Sequence, residues 1–153
     1  MKILVCTDGS KYCQKALEKA SLIAEGPNVE EVAIIHVDEG KLDLSSYARS
    51  GEGFSFTVMD GGNLSKLKEE DQEERKKILQ EALKIFEGKN IKTRTILKKG
   101  HPSRNILNVA SREGFDMIVI GSRGLGGLKK LFLGSVSNAI VQEAKNCSVV
   151  IVK

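Results

Sequence analysis

The sequence predicts an α/β fold, an open doubly wound sheet of five parallel strands in the order 3-2-1-4-5. Three observations predict it. Short apolar runs alternate with segments of helical period along most of the chain, the pattern of a parallel sheet covered on both faces. The runs at 2–7, 31–37 and 116–121 are apolar almost throughout, as doubly buried strands are, whereas 91–98 alternates and reads as an edge. Right-handed crossovers then distribute the helices over both faces.

The elements follow in order. KILVCT (2–7) is the first strand and breaks at Asp8-Gly9-Ser10. Ser10 is a candidate N-cap. From there Cys13, Ala16, Leu17, Ala20, Ile23 and Ala24 recur at helical spacing until Gly26-Pro27-Asn28 stops the helix. EVAIIHV (31–37) is the second strand. Residues 38–65 read as irregular, with Gly40, Gly51, Gly53, Gly61 and Gly62 among serines and charges. FSFTVM (54–59) is a candidate short strand within them. A connection this long is a functional loop, an interface element or partly disordered.

A charged helix follows from about Leu67. Ile78, Leu79, Ala82, Leu83 and Phe86 are its apolar face, Gly88 its end, and KEEDQEERKK its solvated face. IKTRTILK (91–98) is the third strand. Gly100-His101-Pro102-Ser103 opens the next helix, with Pro102 in the tolerated first turn and Ile106, Leu107 and Ala110 as buried stripe. DMIVIG (116–121) is the fourth strand. Val136, Ala139, Ile140 and Ala144 mark the last helix, and SVVIV (148–152) is the fifth strand. In that order the fifth strand is an apolar edge, which invites pairing with another chain. A second copy related by a two-fold axis is the simplest cover.

Composition sets the class. A chain of 153 residues suits one compact domain, 1–153. With 41% hydrophobic and 29% charged residues it reads as a soluble globular protein. No apolar run reaches membrane-spanning length, and the N-terminal stretch lacks a signal-peptide core. Cys6, Cys13 and Cys147 form no CxxC pair, which fits a reducing compartment and a cytoplasmic location. Cys6 reads as packing, because no base stands beside it in sequence. His36 reads as a core histidine and His101 as a loop residue, too far apart to start a zinc set.

Charge is uneven. Residues 38–87 carry 8 basic and 12 acidic side chains, residues 88–153 carry 12 and 3. The basic end holds the segment GSRGLGGLKKLFLGSVS (121–137), with five of the fifteen glycines. An anionic ligand fits there.

In an open α/β sheet, ligands sit beyond the carboxyl ends of the strands at the switch in strand order, here between strands 1 and 4. Asp8 ends the first of these and Gly121 the second. Glycines there allow positive φ and close backbone approach. Free N–H groups can nest an anion, and the helix opened by Gly134, Ser135 and Val136 attracts phosphate at its N-terminus. Ser135 and Ser137 add hydroxyls, and Lys129 and Lys130 are candidates to steer the charge. No Gly-Lys-Ser/Thr of a Walker A loop and no GxGxxG is present in the segment.

These residues resemble the universal stress protein family, in its ATP-binding branch. That family's motif is Gly-x-x-Gly, nine residues, then Gly-Ser/Thr. Here Gly121-Ser-Arg-Gly124 is followed by Leu125 to Leu133 and then Gly134-Ser135. ILVCTDGS, the IIHV strand, GHPSRNI and the VVIV end extend the resemblance over nearly the whole chain apart from 38–70. Two positions depart from it: Cys6 and Ser148 stand where proline is frequent.

The resemblance implies a Rossmann-like fold, close to that of the adenine-nucleotide α-hydrolases, and a list of roles. Asp8 would reach the ribose or adenosine side, and Val37 would offer backbone groups to adenine. Gly121, Arg123, Gly124, Gly134, Ser135 and Val136 would hold ribose and phosphates of ATP. Mg²⁺ or Mn²⁺ would bridge phosphate oxygens, and a homodimer would form through the last strand. A nucleotide-dependent regulatory protein is the function this implies. A slow ATP hydrolase or a phosphoryl- or adenylyl-transfer enzyme is the alternative, although HxGH and SGGxDS signatures are absent and no base other than Asp8 is in view. Nucleic-acid binding ranks last, because 5% aromatic content without tryptophan offers no stacking platform.

Overall fold

The computed structural model describes residues 1–40, 61–125 and 133–153, with residues 61–71 described by their backbone alone. Its strands are β1 (Lys2–Cys6), β2 (Glu31–Asp38), β3 (Lys92–Lys99), β4 (Met117–Gly121) and β5 (Ser148–Val152). They form one sheet in the expected order, β3-β2-β1-β4-β5, with every neighbouring pair parallel. The helices among the described residues are α1 (Lys11–Ala24), α2 (Gly61–Lys84), α3 (Pro102–Glu113) and α4 (Ser135–Glu143).

The period of two along a strand sorts the core into two layers. Ile3 and Val5 of β1 pack with Ala16, Leu17 and Ala20 of α1, with Leu79 and Ala82 of α2, and with Phe86 in the turn after it. Leu4 and Cys6 pack with Ile106, Val109 and Ala110 of α3 and with Ile140 of α4. Helices therefore cover both faces, and β1, β2 and β4 are buried on both. Local chemistry ends the helices where the sequence suggests. Ser10 caps α1, its hydroxyl oxygen accepting from the Cys13 N–H at 3.3 Å. Pro102 occupies the first turn of α3, and Gly114 closes that helix with φ of 66°.

Both ends of α2 differ from the sequence reading, and its last residue is Lys84, short of Phe86 and Gly88. Residues 61–70 belong to α2, which starts at Gly61 rather than near Leu67. The stretch GGNLSKLKEED has no apolar stripe of helical period, and its double glycine reads as a loop, so no sequence signal announces the first turns. The candidate strand 54–59 lies outside the described residues, as do Lys129 and Lys130.

The two edges differ in kind. β3 keeps only Ile96 buried and carries Lys92, Lys98 and Lys99, charges that blunt an edge. β5 has Val149, Val150, Ile151 and Val152 half-buried and no charge within its span. At the amino ends of the strands, the Arg94 side chain bridges Glu31 and Glu113 and ties β3 to β2 and α3.

Candidate functional site

β1 and β4 are neighbours whose outgoing connections lead to opposite faces, which opens a crevice beyond their carboxyl ends. A cleft of about 820 Å³ occupies it. Asp8, Val37, Gly121, Arg123, Gly124, Gly134, Ser135 and Val136, drawn from four separate parts of the chain, all line this cleft. Sequence reading missed Asp38, Glu39 and Asn138, which also line it. The rule that strand exits face the crevice would have found the first two, since they follow Val37 directly.

The glycines are bare for packing reasons that can be separated. A methyl group on Gly121 would stand 2.8 Å from the Tyr12 carbonyl carbon and 2.9 Å from its oxygen. Gly121 therefore lets the end of β4 press against the first turn of α1. A methyl group on Gly124 would overlap Asp8 Oδ2. Gly134 is different, because its methyl would meet the protein only at ordinary contact distances of 3.5 to 3.6 Å. None of these three glycines has a positive φ. Close approach, not left-handed backbone, is what this part of the segment uses, which corrects half of the expectation.

Asp8 links the two sides of the switch. Its Oδ1 accepts from the Ser10 N–H at 2.8 Å and its Oδ2 from the Leu125 N–H at 3.0 Å. Burial alone would raise the carboxyl, but hydrogen bonds from Cys13, Ser10 and Leu125 together hold it below its ordinary value of 3.8. A carboxyl held low by folding stabilises the fold above its unfolded value and stops doing so as pH falls through the lower folded value. The melting-temperature gap between wild type and Asp8→Asn is therefore expected to be full above about pH 4 and to close below it. A gap unchanged from about pH 6 to about pH 3 would show that the charge on Asp8 is irrelevant to stability.

The start of α4 faces the same cleft. Ser135, Val136, Ser137 and Asn138 line it, and Gly134 is the N-cap with no side-chain cap bond. The first N–H groups of a helix have no intrahelical partner, and they carry the positive end of its dipole. In α1 the Ser10 hydroxyl answers that need; in α4 the N-cap is Gly134, which has no side chain to do so. Ser137 does not supply the hydroxyl expected of it. Its Oγ is buried and donates to the carbonyls of Ser122 and Gly134, at 3.1 and 3.0 Å. That bond fastens the α4 cap to the end of β4. Arg123 lies beside Tyr12, its Nη1 donating to the phenol oxygen at 3.5 Å and its guanidinium 5.8 Å from the ring centre.

Cys6, Cys13 and His36 behave as packing groups. Burial first, then neighbouring Cys13, pushes the Cys6 thiol well up. Burial and the Asp8 carboxylate push Cys13 up to about 12. Neither is a thiolate nucleophile at neutral pH. His36 is buried, with Nδ1 2.9 Å from the Thr7 carbonyl oxygen. A carbonyl can only accept, so Nδ1 carries the proton. His101 stays outside the cleft as the N-cap of α3, with Nδ1 3.2 Å from Ser103 Oγ. Among the described residues no three His, Cys, Asp or Glu side chains come together to hold a metal ion.

Comparison with known proteins decides the family. The model of the universal stress protein family matches residues 1–153. The chain belongs to that family. Universal stress protein YxiE of Bacillus subtilis is 35% identical to this universal stress protein, over 99% of this chain and 98% of its own. MJ0577 of Methanocaldococcus jannaschii is 32% identical over 99% of this chain and 94% of its own. A solved structure of MJ0577 superposes with a TM-score of 0.70 at 28% identity, again over 99% and 94% of the two chains. The universal stress protein of Archaeoglobus fulgidus, solved in complex with dAMP, shares the fold with a TM-score of 0.66 at 22% identity, covering 100% of this chain and 98% of its own. Among the described residues of this universal stress protein, no helix is long and apolar enough to cross a membrane.

Proposed function

We propose that the cleft binds an adenine nucleotide, ATP in the first place, and that this universal stress protein is a cytoplasmic, nucleotide-dependent regulatory protein built as one domain and acting as a homodimer. The observation that carries the reading is the start of α4. A glycine cap without a side-chain partner opens onto the cleft beside Arg123 and Gly124, and such a helix end attracts phosphate. At the other end Val37 is the penultimate residue of β2, where backbone groups can meet a base. Asp8 lies between these poles, within reach of a ribose. The dAMP complex of the Archaeoglobus fulgidus relative supports an adenine nucleotide as ligand.

Binding fits better than fast chemistry. Phosphoryl transfer needs a base or a positioned nucleophile. Asp8 is a weak base because protein N–H groups already occupy its oxygens, and the two thiols are held protonated. A Mg²⁺ or Mn²⁺ ion would be held chiefly by the phosphates, with water filling its shell, as Mg²⁺ commonly is. The uncharged β5 edge supports pairing with a second copy, in contrast to the lysine-blunted β3 edge.

The test is nucleotide release from the purified protein by denaturation, with chromatography of the supernatant and light scattering of the native sample. Adenine nucleotide near one per chain and the mass of a dimer are expected. A folded protein that carries no nucleotide and gives no heat with ATP would sink the reading. Conversion of bound ATP to ADP over hours would move it toward a slow hydrolase.

A further inference from the structure

We propose that Arg75 of α2 is a positioning residue for the base end of the cleft, acting through Asp38. This rests on the nucleotide reading above and adds a part of the chain outside the motif.

Arg75 Nη2 stands 3.0 Å from Asp38 Oδ2, with the two side chains only 14% and 15% exposed. An ion pair so far withdrawn from water is less screened than a surface pair, and an arginine fork fixes direction as well as distance. Asp38 is also a junction. Its Oδ1 accepts from the Gly40 N–H at 3.0 Å, and its carbonyl accepts from the Gly100 N–H at 2.8 Å. The exits of β2 and β3 and the side of α2 thus meet at one residue, and that residue lines the cleft next to Val37.

The same face of α2 reaches the other side of the switch. Ile78, three positions after Arg75, has Cδ1 and Cγ1 3.4 Å from where a methyl on Gly9 would stand, and Gly9 directly follows Asp8. α2 therefore braces both turns that carry the base-side residues. The Ile78 contact is apolar and can slide. The Arg75 contact is directional, so it sets the height of the Val37–Asp38 backbone. A base read through backbone groups depends on that height to within about 0.5 Å.

The test titrates wild type, Arg75→Met and Arg75→Lys with Mg·ATP and with inorganic tripolyphosphate, which has the phosphates without the base. Arg75→Met is expected to weaken ATP binding about tenfold and to leave tripolyphosphate within about twofold of wild type, with Arg75→Lys recovering part of the loss. Equal ATP affinity in Arg75→Met overturns the proposal, and so does a proportional loss for both ligands, which means general loosening. Melting curves without ligand check the variants. If Arg75→Met does not fold, Asp38→Asn takes the same two titrations with the same expectations. A wild type that binds no ATP overturns the nucleotide reading and this proposal together. Wild-type binding with unaffected variants overturns this one alone.

Discussion

Gly121→Ala is expected to lower the melting temperature by about 5–10 °C, whether or not a ligand is present. The added methyl has nowhere to go. It meets the carbonyl carbon, carbonyl oxygen and Cβ of Tyr12 at 2.8, 2.9 and 3.0 Å, and two of these are main-chain atoms. No side-chain rotation relieves such a contact, so β4 and the first turn of α1 must part. Overpacking of this kind costs about 2–3 kcal/mol. Parting also moves the Ser10–Asp8 turn and weakens every contact at the switch. Thermal unfolding followed by circular dichroism measures it. An unchanged melting point would mean that the two elements can separate freely.

Gly134→Ala is expected to behave in the opposite way. The methyl finds ordinary contact distances, and the residue already has φ of −69° and ψ of 162°, which alanine adopts without strain. Losing a glycine N-cap costs about 0.5–1 kcal/mol, a small fall in melting temperature. Nucleotide affinity is expected to fall ten- to a hundredfold, about 1.4–2.7 kcal/mol, because the methyl shields the first N–H groups of α4. Calorimetric titration with ATP is the measurement. Undiminished affinity would show that phosphate does not approach this cap. Together the two variants separate a glycine kept for packing from one kept for a ligand.

Much of the architecture is legible in the residues. Apolar runs mark β1, β2, β4 and β5, and the first three are apolar throughout because a doubly covered strand must be apolar on both sides. The lysines of 91–98 mark β3 as an edge. Ser10 and Pro102 mark helix starts through their own backbone chemistry, whereas α2 stops at Lys84, four residues before the Gly88 read as its end. What stays hidden depends on partners far away in sequence. The need for a bare Gly121 comes from Tyr12 and that for Gly124 from Asp8, and no local pattern reports either neighbour. Ser137 looks like a free hydroxyl until the Ser122 carbonyl is seen beside it. The start of α2 is hidden for another reason, since its first turns carry no apolar stripe. Arg75 reads as one more charge on a solvated face, because the burial that makes its ion pair matter is a tertiary fact. For the candidate site, the motif located the cleft and the start of α4, whereas the acidic side at Asp38 and Glu39 needed the three-dimensional fold.

Every ladder in this sheet joins strands through a crossover, and the bond from Leu125 to Asp8 spans 117 positions. Such a cleft is assembled late. During synthesis β1, β2 and β3 can come together with α1 and α2 before the other half exists. They carry Asp8, Val37 and Asp38 but no helix end to receive a phosphate. Only when α4 and β5 are docked are both poles present. A ligand of this cleft therefore stabilises molecules in which the last helix and strand are in place, and gives no help to those still missing them. Occupancy of the site is, in effect, an inspection of whether folding has been completed.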